Sequence, residues 1–562
     1  MPDMPDPCAK ELVEAWPGIF KWSAYFYNQI SASIVAQNSA TTSSQGYSRV
    51  GIIRDVIIGS WCSLALSQSA KRAMLETRGF VDIMARLWIF EDTLGATEVT
   101  PYCEGIPMGS YLLDLLSDDG DQTTLNKVIS ATGEDIGTLA ETTLSQLKKA
   151  IKSPRFTSNP VDCSFIFQFS MRVFRSKPEV RDTFLTHGAI SVGIDLLIQT
   201  ASIMNGRTRS FEERAQFVVP VRRIFQFLWH SLRSRIELTS VLEAISAGLF
   251  TAFVECSPIY DDLKHEDYLM VSATITNMVP RYLAYLCVVQ ATDAMLLRLE
   301  RTKQFLSLQK TKAWEAMDRL ATLTGWRFAV IRQFKHTKKT SMCSNPKCWK
   351  IDTRSTFRKC AKCHSSFYCS KECQGVHWKE FGHKEECHDA NKAQSVFQED
   401  GSMSFHDWEY IQHLNLCEAR CHMPYLKRLV ATEHTGVPLD DLVVVINYDT
   451  IPATYGVDLR SEWVSKGHAT VFSYPMNKYR PDRDPKSPTF IAGVIPDGKG
   501  GRGQRVCVTP FDGIWTYDEQ PTTSDDGNLA AGALSTGKSF IEWMNKEVEA
   551  RRKLYHRLVS SP

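Results

Sequence analysis

Apolar positions recur at helical spacing through most of the first 335 residues. Phe80, Ile83, Met84, Leu87 and Trp88 follow the i, i+3, i+4, i+7, i+8 rule, and so do Val221, Ile224, Phe225, Leu228, Trp229 and Leu232. Strand-like alternation bounded by turn residues is scarce here, so the pattern predicts an all-helical domain over residues 51–335. Residues 1–50 hold one predicted helix, opened by Pro17 and carrying Ile19, Phe20, Trp22, Tyr25 and Phe26. A polar, loop-like stretch from Ser31 to Ser48 follows it. The apolar run from Tyr282 to Leu297 is interrupted by Gln290, Thr292 and Asp293, which makes it a buried helix and too short a span for a bilayer.

Beyond residue 404 the period changes. Residues 404–432 read as helical with an interruption at Pro424. Four β-rich runs come next, Leu442 to Ile446, Ala469 to Phe472, Thr489 to Ala492 and Arg505 to Val508, separated by Pro- and Gly-rich segments. A helix from about Ser535 to Leu558 closes a predicted small α+β domain over residues 404–562.

Three places in the helical region share one punctuation, in which a helix ends, a Gly follows and an apolar helix begins: Gly79, Gly188 and Gly248. A Gly just past a helix end is the usual left-handed cap. Helix, Gly turn, helix resembles the armadillo and HEAT solenoids. The glycines are 109 and 60 residues apart, without a period near 40, so an irregular helical bundle is the alternative. The fold class expected is mainly α, with a helical-repeat-like N-terminal domain, a small cysteine-rich module and a C-terminal α+β domain.

Composition changes this picture little. Apolar residues make up 43% and charged residues 23% of 562, the balance of ordinary globular domains, and the length suits about three or four of them. A net charge of +2 provides no global field toward nucleic acid or membrane. The start, Met-Pro-Asp-Met-Pro-Asp-Pro, lacks the basic and apolar regions of a secretory signal. An intracellular, reducing location, nucleus or cytoplasm, is expected.

Cysteine distribution changes it more. Seven of the 16 cysteines fall in residues 343–387, spaced Cys343-x4-Cys348, Cys360-x2-Cys363, Cys369-x3-Cys373 and His383-x3-Cys387. Eight donors in four pairs suit two tetrahedral Zn²⁺ sites with thiolate and imidazole ligands. Two intervening residues fit a tight turn, and three place ligands one turn apart on one side of a helix. Four protein ligands per ion leave no open position, so the expected cofactor is structural zinc, two per chain. So short a module with little apolar mass depends on its metal to fold.

Phe367-Tyr368-Cys369-Ser370-Lys371-Glu372-Cys373-Gln374, then Trp378, then Gly382-His383-Lys384 and Cys387, resembles the MYND finger family over residues 341–389. The resemblance implies interleaved pairing, with Cys343, Cys348, Cys369 and Cys373 on one zinc and Cys360, Cys363, His383 and Cys387 on the other. Spacing alone leaves a linear pairing open. Two departures stand out. Four residues separate the first pair, and Trp378 lies two residues farther from His383 than is usual in the family, with His377 and His388 nearby. The family also implies binding of short proline-containing peptides, carried over here onto Gln374 and Trp378. A Trp face offers a flat apolar platform for proline, and an amide can pair with an extended backbone. The alternative role for Trp378 is an anchor of the finger's own core.

Other patterns carry less. Residues 532–539, Gly-Ala-Leu-Ser-Thr-Gly-Lys-Ser, satisfy the phosphate-loop pattern, but a loop precedes them where a buried strand is required, and Ser535 or Thr536 reads as a helix N-cap. His413, Cys417 and Cys421 recur every fourth residue on one helix and cannot readily surround one ion, so a packed helix face is expected. Gly498 to Gly503 reads as a flexible turn. Residues 327–362 carry eleven Lys/Arg against Asp352 alone, which raises nucleic-acid binding as an alternative. Within the finger, however, nine Lys/Arg and five Asp/Glu, seven thiolates and two Zn²⁺ net only about +1, leaving Arg332 to Lys339 as the basic lead-in. A SET-type lysine methyltransferase lacks support, because neither an Asn-His-Ser-Cys-like motif nor a trailing cysteine cluster is present. The expectation is a non-enzymatic, zinc-dependent protein-interaction adaptor with proline-containing peptide partners, no nucleic acid and no membrane.

Overall fold

The structure, a computed structural model, describes residues 6–37, 49–93, 108–116, 122–131, 135–206, 209–234, 238–336, 340–345, 347–348, 350–363, 366–385, 387, 405–463, 465, 489–496 and 504–511. The strand expected at 469–472, the glycine-rich turn, the phosphate-loop-like segment and the closing helix lie outside these residues. The described chain is mainly helical, with a cysteine-rich finger and a small α+β region after it, as the sequence predicts. It divides into two compact units.

The first unit comprises Met1–Ser234 with Ala247–Ser272 and Lys310–Ala313. Its opening helix, Asp6–Gln37, starts earlier and ends later than expected, with Pro17 inside it. Tertiary anchoring outweighs the local breaker. Trp16 donates from Nε1 to Thr77 Oγ1 at 2.7 Å and meets Phe80 edge-on at 5.4 Å, and Trp61 Nε1 donates to Ser23 Oγ. The helix Ala189–Met204 lies against Ile136–Lys152, Val218–Ser234 and Leu249–Cys256. It buries Ile190, Ile194, Leu196 and Leu197 completely and leaves Asp195 on its exposed face. Trp88 and Gln146 satisfy each other inside this unit. Trp88 Nε1 donates to Gln146 Oε1 at 2.6 Å, and Gln146 Nε2 returns a bond to the Trp88 carbonyl.

The helical stripes read from sequence are buried, apart from Ile83 and Trp229, which are half-buried at the margins. Gly79, Gly188 and Gly248 have φ of 82°, 77° and 99°, the left-handed conformation the punctuation predicts.

The second unit comprises Arg235–Ser246, Ala273–Gln309 and Trp314–Pro562. The expected helix at 282–297 begins later, at Leu286, after a turn, and runs to Leu299. Two short hairpins belong to the finger: β1 (Thr340–Met342) with β2 (Ile351–Thr353), and β3 (Arg358–Lys359) with β4 (Phe367–Tyr368). Next come helices Phe405–Cys421 and Met423–Glu433, broken at His422 with Pro424 in the first turn of the second, where its missing N–H costs nothing.

A four-stranded sheet follows, in the order β6-β5-β7-β8, with β5 at Leu442–Asn447, β6 at Thr454–Leu459, β7 at Thr489–Pro496 and β8 at Gln504–Phe511. β5 pairs parallel to β7, with Val444 opposite Ile491, and the other pairs are antiparallel. β6 was not among the expected strands. It is an edge strand in which only Val457 is buried, so its sequence carries little apolar signal.

Asn415, on the 405–421 helix, ties the sheet to that helix, donating to the Cys507 carbonyl and Thr509 Oγ1 and accepting from Tyr448 OH at 2.9 Å. The helix before the finger, Ala313–His336, joins the same body. Its Arg327 pairs with Glu418, its Gln333 accepts from Cys417 Sγ, and its Phe334 packs on Tyr410. Residues 337–404, which include the finger, therefore connect two helices that pack on each other. Among the described helices, no single one is long and apolar enough to cross a membrane.

Candidate metal centre

Short backbone ties position the donors. Cys343 follows β1 and donates its N–H to the Lys350 carbonyl at 2.8 Å. Asn345 makes a tight turn, its side chain accepting from Lys347 N and its carbonyl from Cys348 N, which returns Cys348 toward Cys343. Ser344 N donates to the Phe367 carbonyl at 2.7 Å, and Phe367 N to Ser344 Oγ, so the first knuckle is laced to β4. Cys360 leaves β3 and donates to the Ser366 carbonyl at 2.9 Å, closing the turn that holds Cys363.

Helix Lys371–Glu380 supplies the next part. Ser370 is its N-cap, accepting from Cys373 N. Cys373 thus sits in the first helical turn while Cys369 precedes the cap. The x3 spacing here spans a strand-to-helix corner, where a single helix was expected. For the last pair the expectation holds, as residues 383–385 and 387 are helical. Between the two, Gly382 takes φ +76°, reversing the chain after the helix end at Phe381.

The donors separate into two groups, each with all ligand atoms within 4.8 Å: Cys343, Cys348, Cys369 and Cys373 in one, Cys360, Cys363, His383 and Cys387 in the other. This is the interleaved pairing, and the linear one is excluded by position. Sulfur separations are 3.5 Å for Cys348–Cys369 and for Cys369–Cys373, and 3.7 Å for Cys360–Cys387. Cys363 Sγ lies 3.8 Å from His383 Nε2. A disulfide needs about 2.05 Å, whereas a tetrahedron with Zn–S bonds of about 2.3 Å has edges of roughly 3.8 Å. Both donor sets therefore suit zinc, which would be held by three or four thiolates and, in the second set, one imidazole.

The thiols of each group shift in opposite directions. Burial, then hydrogen bonding and charge from Cys360 and Cys363, push the Cys387 thiol up to about 12, and burial with its bonds to Cys348, Cys373 and Cys343 raises Cys369. At Cys360 and Cys373, burial is outweighed by hydrogen bonds that lower the thiol. Thiols this close resist sharing negative charge, and a divalent cation is what allows them all to ionise.

The remaining core is small: Phe357 and Tyr368 beside the ligands, with Phe367 and Trp378 packed against them. His377 is not in either donor set. It is fully buried, shares a 2.9 Å hydrogen bond through Nδ1 with Tyr368 OH, and stacks on His383 with ring centroids 4.8 Å apart. By spacing it reads only as a rival ligand, and its place under His383 has no sequence signal. His388 lies outside the described residues. Gln374 and Trp378, four apart on the finger helix, are both half-buried, and the Trp378 ring meets His383 edge-on at 5.7 Å.

His413, Cys417 and Cys421 form a packed face. Cys417 Sγ is 3.6 Å from His413 Nε2 but donates to Gln333, and among the described residues only the two finger groups gather donors for a metal. In the basic lead-in, Arg332 ends up over the Phe328 ring within the 313–336 helix, and residues 337–339 lie outside the described chain.

Searches of curated proteins and of solved structures return no match to this chain. Residues 337–387 match the family model of the MYND finger, and with the two interleaved Cys/His groups in place this segment of the chain is a MYND finger.

Proposed function

We propose that the chain is a non-enzymatic, zinc-dependent adaptor whose finger binds short proline-containing segments of other proteins inside the cell. The observation that carries this reading is the finger itself: two closed four-donor groups in a segment matching a family of protein-interaction modules. Four protein donors per ion leave no coordination position for a substrate, so zinc, two ions per chain, serves structure alone.

Gln374 and Trp378 form the peptide-binding face. They lie one turn apart on one side of helix Lys371–Glu380, each half-buried. The Trp378 ring offers apolar surface to proline, and Gln374 offers an amide to the peptide backbone. Trp378 also packs against the ligand His383, so platform and anchor roles meet in one side chain.

Calorimetric titration of the full chain with a Pro-x-Leu-x-Pro peptide, at low and high salt, tests the reading. Binding that persists at high salt is the expected outcome. Absence of peptide binding, together with salt-sensitive binding of an oligonucleotide, would move the function to the basic residues 332–339.

A further inference from the structure

The imidazole of His383 is held on three sides. His377 stacks on it with centroids 4.8 Å apart and planes 23° from parallel. Tyr368 and Trp378 meet it edge-on at 5.9 and 5.7 Å, with interplanar angles of 73° and 69°. His377 is itself pinned by the 2.9 Å hydrogen bond to Tyr368 OH, and both His377 and Tyr368 are fully buried. His383 follows the left-handed Gly382, and Glu385 N donates to the Gly382 carbonyl across that corner.

We propose that Tyr368 and His377 are the positioning pair for the His383 ligand, and that through them the all-cysteine site sets the geometry of the second site. The pair sits where both sites meet. Tyr368 precedes Cys369, and His377 lies one helical turn beyond Cys373, so two donors of the first group fix the elements that carry the pair. Rigid placement of Cys369 and Cys373 therefore places the two rings against which His383 is set. Metal-ligating histidines are ordinarily oriented by a neighbouring group, and losing that group typically costs about 10–100-fold in metal affinity. Here the orienting group is a ring stack backed by a buried phenol.

This inference rests on the reading of the finger as a two-zinc module, and one experiment separates the two. The full-length protein is loaded with zinc, and stoichiometry and affinity are read by competition with a chromogenic chelator. Cobalt substitution in parallel distinguishes an all-thiolate site from one with an imidazole donor. Wild type should hold two ions. His377→Ala should weaken one of them by about 10–100-fold, with the imidazole-type cobalt spectrum lost and the all-thiolate one retained. The double variant Tyr368→Phe/His377→Phe keeps the ring stack and removes both polar groups together, so it should recover most of that affinity. Cys348→Ser, which damages the first site, should also weaken the second, because coupling between sites is reciprocal. Wild-type affinity for both ions in His377→Ala overturns the positioning role. Loss of both ions in His377→Ala without recovery in the double variant overturns it too, reducing His377 to core filling. A wild-type protein that binds no zinc sinks the finger reading itself.

Discussion

Arg327 and Glu418 form an ion pair whose side chains are only 6% and 2% exposed, joining the helix before the finger to the helix after it. The guanidinium also lies 4.6 Å over Trp326 and 5.2 Å over Tyr448, and Tyr455 OH donates to Glu418 Oε2 at 2.8 Å. Removing one partner of a buried pair strands the other charge, at a cost of about 3–5 kcal/mol. Arg327→Met should therefore lower the stability of the second unit by that order. Arg327→Met/Glu418→Leu should recover only part of it, because the Tyr455 hydroxyl then loses its acceptor. Urea unfolding followed by near-ultraviolet circular dichroism checks both, and a loss under about 1 kcal/mol would mean that water reaches the pair.

His413 provides a pH-dependent contribution. Burial, reinforced by the charge of Arg420, lowers its pKa to about 4. Its ring touches Phe334 and Cys417 Sγ, and neither is a carboxylate that would favour the charged form. An unfolded chain binds this proton near pH 6.5 and the folded one only near 4, so the contribution is complete above about 6.5 and is lost as pH falls from there toward 4. The ring keeps some exposure, so about 1–2 kcal/mol is expected. His413→Phe should flatten the stability profile between those pH values. An unchanged profile in the variant would remove His413 as its source.

What could be read from the sequence follows the range of the interactions. The eight metal donors were legible because each pair is local and chemically distinctive. Even the choice between interleaved and linear pairing came from family resemblance, since it depends on how Cys343 and Cys369 meet across 26 residues of sequence. Gly79, Gly188 and Gly248 were legible because a left-handed cap needs that residue type. Asp6–Gln37 is longer than its sequence predicts because Pro17 is a strong local breaker, while the Trp16 and Ser23 contacts that hold the helix reach residues 77 and 61. The same limit hid His377 and the Arg327–Glu418 pair. A histidine two turns along a finger helix looks like a spare ligand, and nothing near Arg327 announces a carboxylate 91 residues away.

Zinc removal should act on one module only. The donors are confined to residues 343–387, whereas the buried cores of the first unit and of the sheet contain no finger residue. A strong chelator should unfold the finger and leave most far-ultraviolet helical signal in place. Cys360→Ser removes a donor of the second group, so one zinc should be lost while the all-cysteine site persists in weakened form. Metal content by mass spectrometry and circular dichroism with and without chelator check this, and global melting on chelation would contradict it.

The peptide face makes a sharper demand, because Trp378 has two roles to separate. A short extended peptide offers few anchors and must be ordered on binding, so affinity should be weak, roughly tens to hundreds of micromolar. Trp378→Ala should reduce binding strongly. Gln374→Ala should cost about 1 kcal/mol, the usual net worth of one hydrogen bond. Since the Trp378 ring packs 5.7 Å from His383, its removal also disturbs a ligand, and zinc content decides between the roles. If Trp378→Ala keeps both ions and loses the peptide, the ring is the platform. If metal and peptide disappear together, while Trp378→Phe restores metal but not peptide, the ring serves both. Affinity should change little with salt, because the zinc-loaded finger carries only about +1 and apolar contact dominates. A peptide that binds Trp378→Ala as tightly as wild type would place the docking face elsewhere on the finger.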